Sequence, residues 1–230
     1  MSSKPPRRTT INLERLRRDL EALGRIGRNP LTGGIDRVSF SDADMEGRRF
    51  VRGLMEKAGL TVTLDGAGNL SGRWNVGDGP VVMLGSHLDS VPNGGMFDGA
   101  LGVIAGLECV RSMREMGLTP ALPIEVIATA EEEGRFGGMF GSQALAGQVT
   151  RKWLETARDD SGTRLFDAMC AQSMDPYEAL KAKRPEGSIA AFLELHVEQG
   201  PVLHSEKKPV GIVTGISGVS NWTVKLSGEA

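Results

Sequence analysis

Hydrophobic and polar positions change rhythm along this chain, and each rhythm predicts a different element. Near the start, Ile11, Leu13, Leu16, Leu20 and Leu23 recur at helical spacing, so residues 12 to about 27 read as an amphipathic helix. Ser41 with Asp44 forms a start like a capping box, with Asp in place of Glu. The helix it opens uses Phe50, Val51, Leu54, Met55 and Ala58, and Gly59 stops it. Residues 60–64 and 69–74 are short strands joined by the Asp65-Gly66-Ala67-Gly68 turn. Alternation then gives way to continuous apolar runs at 80–84 and 124–130, the pattern of strands covered on both faces. Between them, Leu101, Ile104, Ala105, Leu107 and Val110 predict a helix over 99–116.

A Gly-rich loop and a short helix near 142–146 follow, then a polar, mostly helical stretch to 188 with a helix start at Asp175-Pro176. Residues 189–197 return to strand. After Lys207-Lys208-Pro209, residues 210–216 and 219–226 read as consecutive antiparallel strands, the second with one wet face. The β-α-β-α order predicts an α/β domain, with a mixed, mostly parallel sheet flanked by helices. A domain boundary near Pro209 divides the chain into 1–208 and 209–230.

Composition narrows the function. A chain of 230 residues, 40% hydrophobic and 24% charged, can bury a real core. The net charge is -2 with dispersed Lys and Arg, which leaves no footprint for nucleic acid. The basic stretch from Lys4 to Arg8 is expected to be a solvated terminus. Cys109 falls on the apolar face of its predicted helix as a buried, inert thiol, and with Cys170 it makes no disulfide framework. No signal-like apolar region or membrane-length run is present, so a cytoplasmic protein without membrane association is expected.

Four polar clusters carry the chemistry. His87 and Asp89 stand in Gly85-Ser86-His87-Leu88-Asp89-Ser90-Val91, and Asp98 in Gly94-Gly95-Met96-Phe97-Asp98-Gly99. Glu131-Glu132-Glu133 and Leu195-His196-Val197-Glu198-Gln199-Gly200 come later. Each lies just past an apolar run read as a buried strand, and α/β sheets bind ligands beyond the carboxyl ends of their strands. Two of the three histidines are used in this way, while His204 reads as a solvated hairpin residue. Imidazoles with several carboxylates suit borderline and hard divalent cations. Clustered carboxylates repel one another, and two cations would relieve that repulsion, acidify a water and polarise a carbonyl. Adjacent side chains in extended backbone point apart, so at most one or two of the three glutamates face one ion.

On these residues the chain resembles the N-carbamoyl-L-amino-acid hydrolase, allantoate amidohydrolase and β-ureidopropionase family. That family belongs to the dinuclear-zinc superfamily of aminoacylases and carboxypeptidases. The matching segments are residues 85–91, 93–102, 130–141 and 193–201; the second and fourth are specific to the carbamoylase branch. The Glu133-Gly134-Arg135-Phe136 loop is one residue tighter than the family form.

The resemblance implies a zinc-exopeptidase-like catalytic domain followed by the first strands of an α+β lid and dimerisation domain. It implies two divalent ions (zinc, manganese or cobalt), with Asp98 bridging, His87 and His196 completing one site, and Glu132 a ligand of the other. Glu131 would be the general base, Asp89 the acid that orients His87, and Gln199 a neighbour of the substrate. The implied activity is hydrolysis of the ureido C–N bond of a small acid by a metal-activated water, in a full-length homodimer. A further ligand and the residues that grip the substrate would lie past residue 230, so the chain is expected to be C-terminally truncated and inactive alone. An aminoacylase or dipeptidase with the same metals, and a non-catalytic metal-binding module, remain as alternatives.

Overall fold

Asn12 caps the first helix by accepting the Arg15 N–H on its side chain, and α1 runs over Leu13–Leu23. It stops at Gly24, and Ile11 and Leu13 are exposed, so the buried stripe begins only at Leu16. The computed structural model describes residues 10–216, 218, 222, 224, 225, 227 and 228. Ser41 Oγ accepts the Asp44 N–H and opens α2, Asp42–Lys57. Asp44 itself turns back to the N–H of Phe40 at 2.9 Å and forms a buried ion pair with Arg48 at 3.0 Å. Gly59, at φ +74°, terminates the helix as expected.

The strands are β1 Thr61–Leu64, β2 Leu70–Trp74, β3 Val81–His87, β4 Ile124–Thr129 and β5 Ile189–Leu193. They form one mixed sheet in the order β1-β2-β4-β3-β5, antiparallel through β1, β2 and β4 and parallel through β4, β3 and β5. Helix α3, Ala100–Glu115, connects β3 to β4. Leu84, Val126 and Ala128 pack against α1, α2 and α3 on one face of the sheet. Val81, Met83 and Ile127 alternate to the other face, where Leu145 of α4, Phe140–Leu145, meets them. A satellite core of Phe40, Phe136, Phe140, Leu154, Leu165 and Met169 gathers α4, α5 (Arg151–Thr156), α6 (Leu165–Ala171) and the 3-10 turn Pro176–Lys181.

Several expectations are corrected. The apolar run of β5 predicts a buried strand, yet Phe192 and Leu193 are 48% and 54% exposed. It lies at the sheet edge, where Ile189 packs against the core and residues 190–193 are exposed. Cys109 is exposed and not buried, because it sits about 200° round the helix from Leu107. Residues 210–216 have no regular structure, and most of 219–226 lies outside the described residues. The chain divides into two compact units, one ending at Val197 and the other beginning at Glu198. His204 stands on a short helix, α7, Val202–Glu206, and not on a hairpin. No helix among the described residues is long and apolar enough to cross a membrane.

Candidate metal centre

The three parallel strands end side by side. His87 closes β3 opposite Thr129 of β4, and Leu84 pairs with Leu193 of β5. Three residues on from that second pair, His196 comes level with His87, and the two ring centroids are 5.9 Å apart. His87 Nδ1 donates to the Asp89 carbonyl at 2.9 Å, and His196 Nδ1 to the Val197 carbonyl at 3.0 Å. A carbonyl only accepts, so both rings carry their proton on Nδ1 and keep Nε2 as the coordinating atom.

Asp98 arrives from the turn before α3. Gly99 there has φ +61°, and a Cβ on it would lie 2.5 Å from the His87 ring, so only glycine lets the turn close over the imidazole. Asp98 Oδ1 is 3.1 Å from His196 Nε2 and 4.0 Å from His87 Nε2, while Glu132 Oε2 is 3.6 Å from His87 Nε2. His87, Asp98 and His196 form one group of possible ligands, and His87, Glu132 and Glu133 a second. Two ligands about 2.2 Å from one ion stand at most about 4.4 Å apart, so these separations suit a shared cation. Glu133 Oε1 and Asp89 Oδ1 are buried without a hydrogen-bond partner. Both residues lie beside His87, and a buried carboxylate oxygen without a partner is costly without a cation, so the donor set fits a metal ion.

The glutamates divide sharply. Glu131 has φ +54° and no exposure, which tucks its side chain under its own loop. Its two oxygens accept the N–H groups of Phe136 at 2.6 Å and Gly138 at 3.1 Å. Burial pushes its carboxyl up to about 7, those N–H groups oppose the rise, and Asp89 and Glu132 add to it. Glu132 and Glu133 are also raised, first by burial, with His87 pulling each back. The residue expected as general base is thus seated in the loop, and the pair beside His87 is Glu132 with Glu133.

Asp89 is fully buried. Its Oδ1 is 3.9 Å from His87 Nδ1, and its Oδ2 accepts from Ser39 Oγ at 2.8 Å and from the Glu133 N–H at 3.0 Å. Sequence reasoning missed Ser39 and Arg37. Arg37 is 1% exposed and donates to the carbonyls of Leu88, Leu23 and Ile26. No motif marks either residue, since their partners are distant in sequence. A cavity of about 430 Å³, lined by Val38, Ser39, Ser90, Pro92, Glu133 and Arg135 among others, opens beside Glu133. Gln199 belongs to the second unit, where its neighbour Glu198 caps α7 by accepting the N–H groups of Leu203 and His204.

Together the fold and the donor set define an α/β domain of hydrolase type with a candidate metal centre at the carboxyl edge of its parallel strands. The chain belongs to peptidase family M20/M25/M40, which residues 83–229 match. It is 47% identical over 225 residues to an N-carbamoyl-L-amino acid amidohydrolase of Geobacillus stearothermophilus, covering 96% of this chain and 54% of that protein. A ureidoglycolate hydrolase of Oryza sativa is 34% identical, over 95% of this chain and 46% of its own length. The crystal structure of a hydantoinase/carbamoylase family amidase from Burkholderia ambifaria matches with a TM-score of 0.78 at 36% identity, covering 86% of this chain and 48% of that one. The chain spans about half the length of the curated relatives it matches.

Proposed function

We propose that this chain carries the metal-binding core of an amidohydrolase that cleaves the ureido C–N bond of a small acid, such as an N-carbamoyl-amino acid or an allantoate-like compound. One observation carries the reading: a cluster of two imidazoles and three carboxylates in a chain 47% identical to an N-carbamoyl-L-amino acid amidohydrolase. His87, Asp98 and His196 would hold one divalent cation, and Glu133, grouped with His87, would bring carboxylate to a second; zinc, manganese and cobalt all suit such ligands. A cation held there acidifies a water and polarises the ureido carbonyl.

We assign proton handling to Glu132, because both oxygens of Glu131 are taken by the N–H groups of Phe136 and Gly138. Glu132 accepts a proton from the water that adds to the ureido carbon and passes it to the departing nitrogen as the C–N bond breaks. That cleavage leaves a carbamic acid, which splits spontaneously at its own C–N bond, so an N-carbamoyl-amino acid and one water give ammonia, carbon dioxide and the amino acid. Asp98, in the Gly-flanked turn, keeps its carboxylate between the two imidazoles.

Metal content of this chain after dialysis, followed in the full-length protein by ammonia release from an N-carbamoyl-L-amino acid and acetate release from its N-acetyl counterpart, tests this. Bound cation and ammonia release that a chelator abolishes are the expected results. Hydrolysis confined to the acetyl series would make the protein an aminoacylase, and a folded protein that retains no cation would overturn the metal reading.

A further inference from the structure

We propose that Ser39 is a positioning residue of the metal centre, one that locks the loop after β3 to the loop after β4 through the Asp89 carboxylate. The inference rests on the metal reading above and concerns how the ligands are kept in place.

Ser39 is 1% exposed and is tied on both sides. Its Oγ donates to Asp89 Oδ2 at 2.8 Å, and its carbonyl accepts from Arg135 Nη1 at 2.6 Å. Arg135 is anchored in turn by Asp159 at 3.0 Å. The backbone of 37–39 is also held against 88–90. The Arg37 N–H donates to Ser90 Oγ at 3.0 Å, and the Ser90 N–H donates to the Arg37 carbonyl at 2.9 Å. Ser39 therefore presents its hydroxyl from a rigid support.

What it holds is a junction. Asp89 Oδ2 accepts from Ser39 Oγ and from the Glu133 N–H, so one carboxylate oxygen joins the segment that carries His87 to the segment that carries Glu132 and Glu133. With Oδ2 held from two directions, the carboxylate cannot swing, and Oδ1 stays 3.9 Å from His87 Nδ1. Removing the hydroxyl leaves Asp89 on a single donor. Ligands from two different strands then lose their common reference, while the backbone pairing of the sheet is untouched. Threonine keeps the hydroxyl.

The test is calorimetric titration of zinc into the chelator-stripped chain, into Ser39→Ala and into Ser39→Thr, with urea unfolding of the stripped proteins in parallel. Loss of a group that orients metal ligands costs about 10–100-fold in affinity. That loss is expected in Ser39→Ala, with Ser39→Thr close to the parent. A packing role alone would lower the unfolding midpoint of Ser39→Ala and leave zinc affinity unchanged. Parent affinity in Ser39→Ala, or equal loss in Ser39→Thr, overturns the inference. If Ser39→Ala does not fold, Ser39→Cys, similar in size and a weaker donor, is read in the same way. If the parent chain binds no zinc, it is the metal reading that fails, and this inference falls with it.

Discussion

His87 and His196 face one another with ring centroids 5.9 Å apart, at the ends of adjacent parallel strands. Asp98 reaches both rings, so a single cation can draw on all three side chains. His87→Ala and His196→Ala should each lower the bound metal measured by elemental analysis. In the parent, zinc at about 100 times its Kd should add about 2.7 kcal/mol to the unfolding free energy, and neither variant should gain that amount. Equal stabilisation in all three proteins would place the ion elsewhere.

The two glutamates make opposite predictions. In the full-length protein, Glu132→Gln should leave the fold intact and slow turnover by about 10²–10⁴-fold, the usual worth of a positioned acid–base group. Glu131→Gln should do most of its damage to stability, because an amide NH₂ would face an N–H that now meets a carboxylate oxygen. A loss of about 1–3 kcal/mol in urea unfolding is expected. The reverse pattern, with Glu131→Gln stable but inert, would restore Glu131 as the base.

The same buried carboxyl sets a pH dependence for the metal-free protein. Its pKa is raised from 4.5 to about 7 on folding, so the folded state holds the proton more tightly than the unfolded chain. The stabilisation is complete below 4.5 and is lost as pH rises through about 7. The limiting size is about 3 kcal/mol, at 1.36 kcal/mol per unit. Denaturation of chelated protein from pH 4 to 8 should show the decline, and Glu131→Gln should show a shallower one; parallel curves would refute it.

Gly99→Ala tests the turn that admits Asp98. A Cβ there meets the His87 ring at 2.5 Å on a backbone with φ +61°, so either the ring or the turn must move. We expect a stability loss of about 1–3 kcal/mol together with weaker zinc binding. Parent-like binding would show that the turn has slack.

Arg37→Met removes a cation that satisfies three carbonyls in the interior. The loss should be about 3 kcal/mol or more, and Arg37→Lys should not restore it, since an ammonium cannot reproduce the planar fork. Unfolding midpoints within error of the parent would contradict this.

Legibility followed the range of each interaction. Helices α1 to α3 and strands β1 to β4 were visible because periodicity, Asn12, Ser41 and Gly59 are local signals. The meeting of His87, Asp98, Glu132 and His196 could be anticipated because each follows an apolar run, and strand ends gather in an α/β sheet. Arg37 and Ser39 could not, since Leu23, Leu88 and Asp89 come to them only through the fold. Which glutamates face His87 depends on the left-handed backbone at Glu131, a conformation glutamate seldom adopts. An apolar run announced β5, but a run says nothing about whether a second layer covers it. Cys109 is exposed although its neighbours Leu107 and Val110 are buried, because the buried stripe of the helix is narrower than its apolar sequence pattern.

Among the described residues, strand β5 hangs from the sheet by one seam, its pairing with β3. Past the end of that seam the ties are between side chains: Glu194 accepts from Ser86, and His196 meets Asp98. A cation shared by His87, Asp98 and His196 would act as a clasp at the open end of a zipper. Without it, amide protons of β5 should exchange earliest in the sheet, and a peeled β5 would bare the flank of β3 as a template for a foreign strand. Metal starvation would then appear first as self-association.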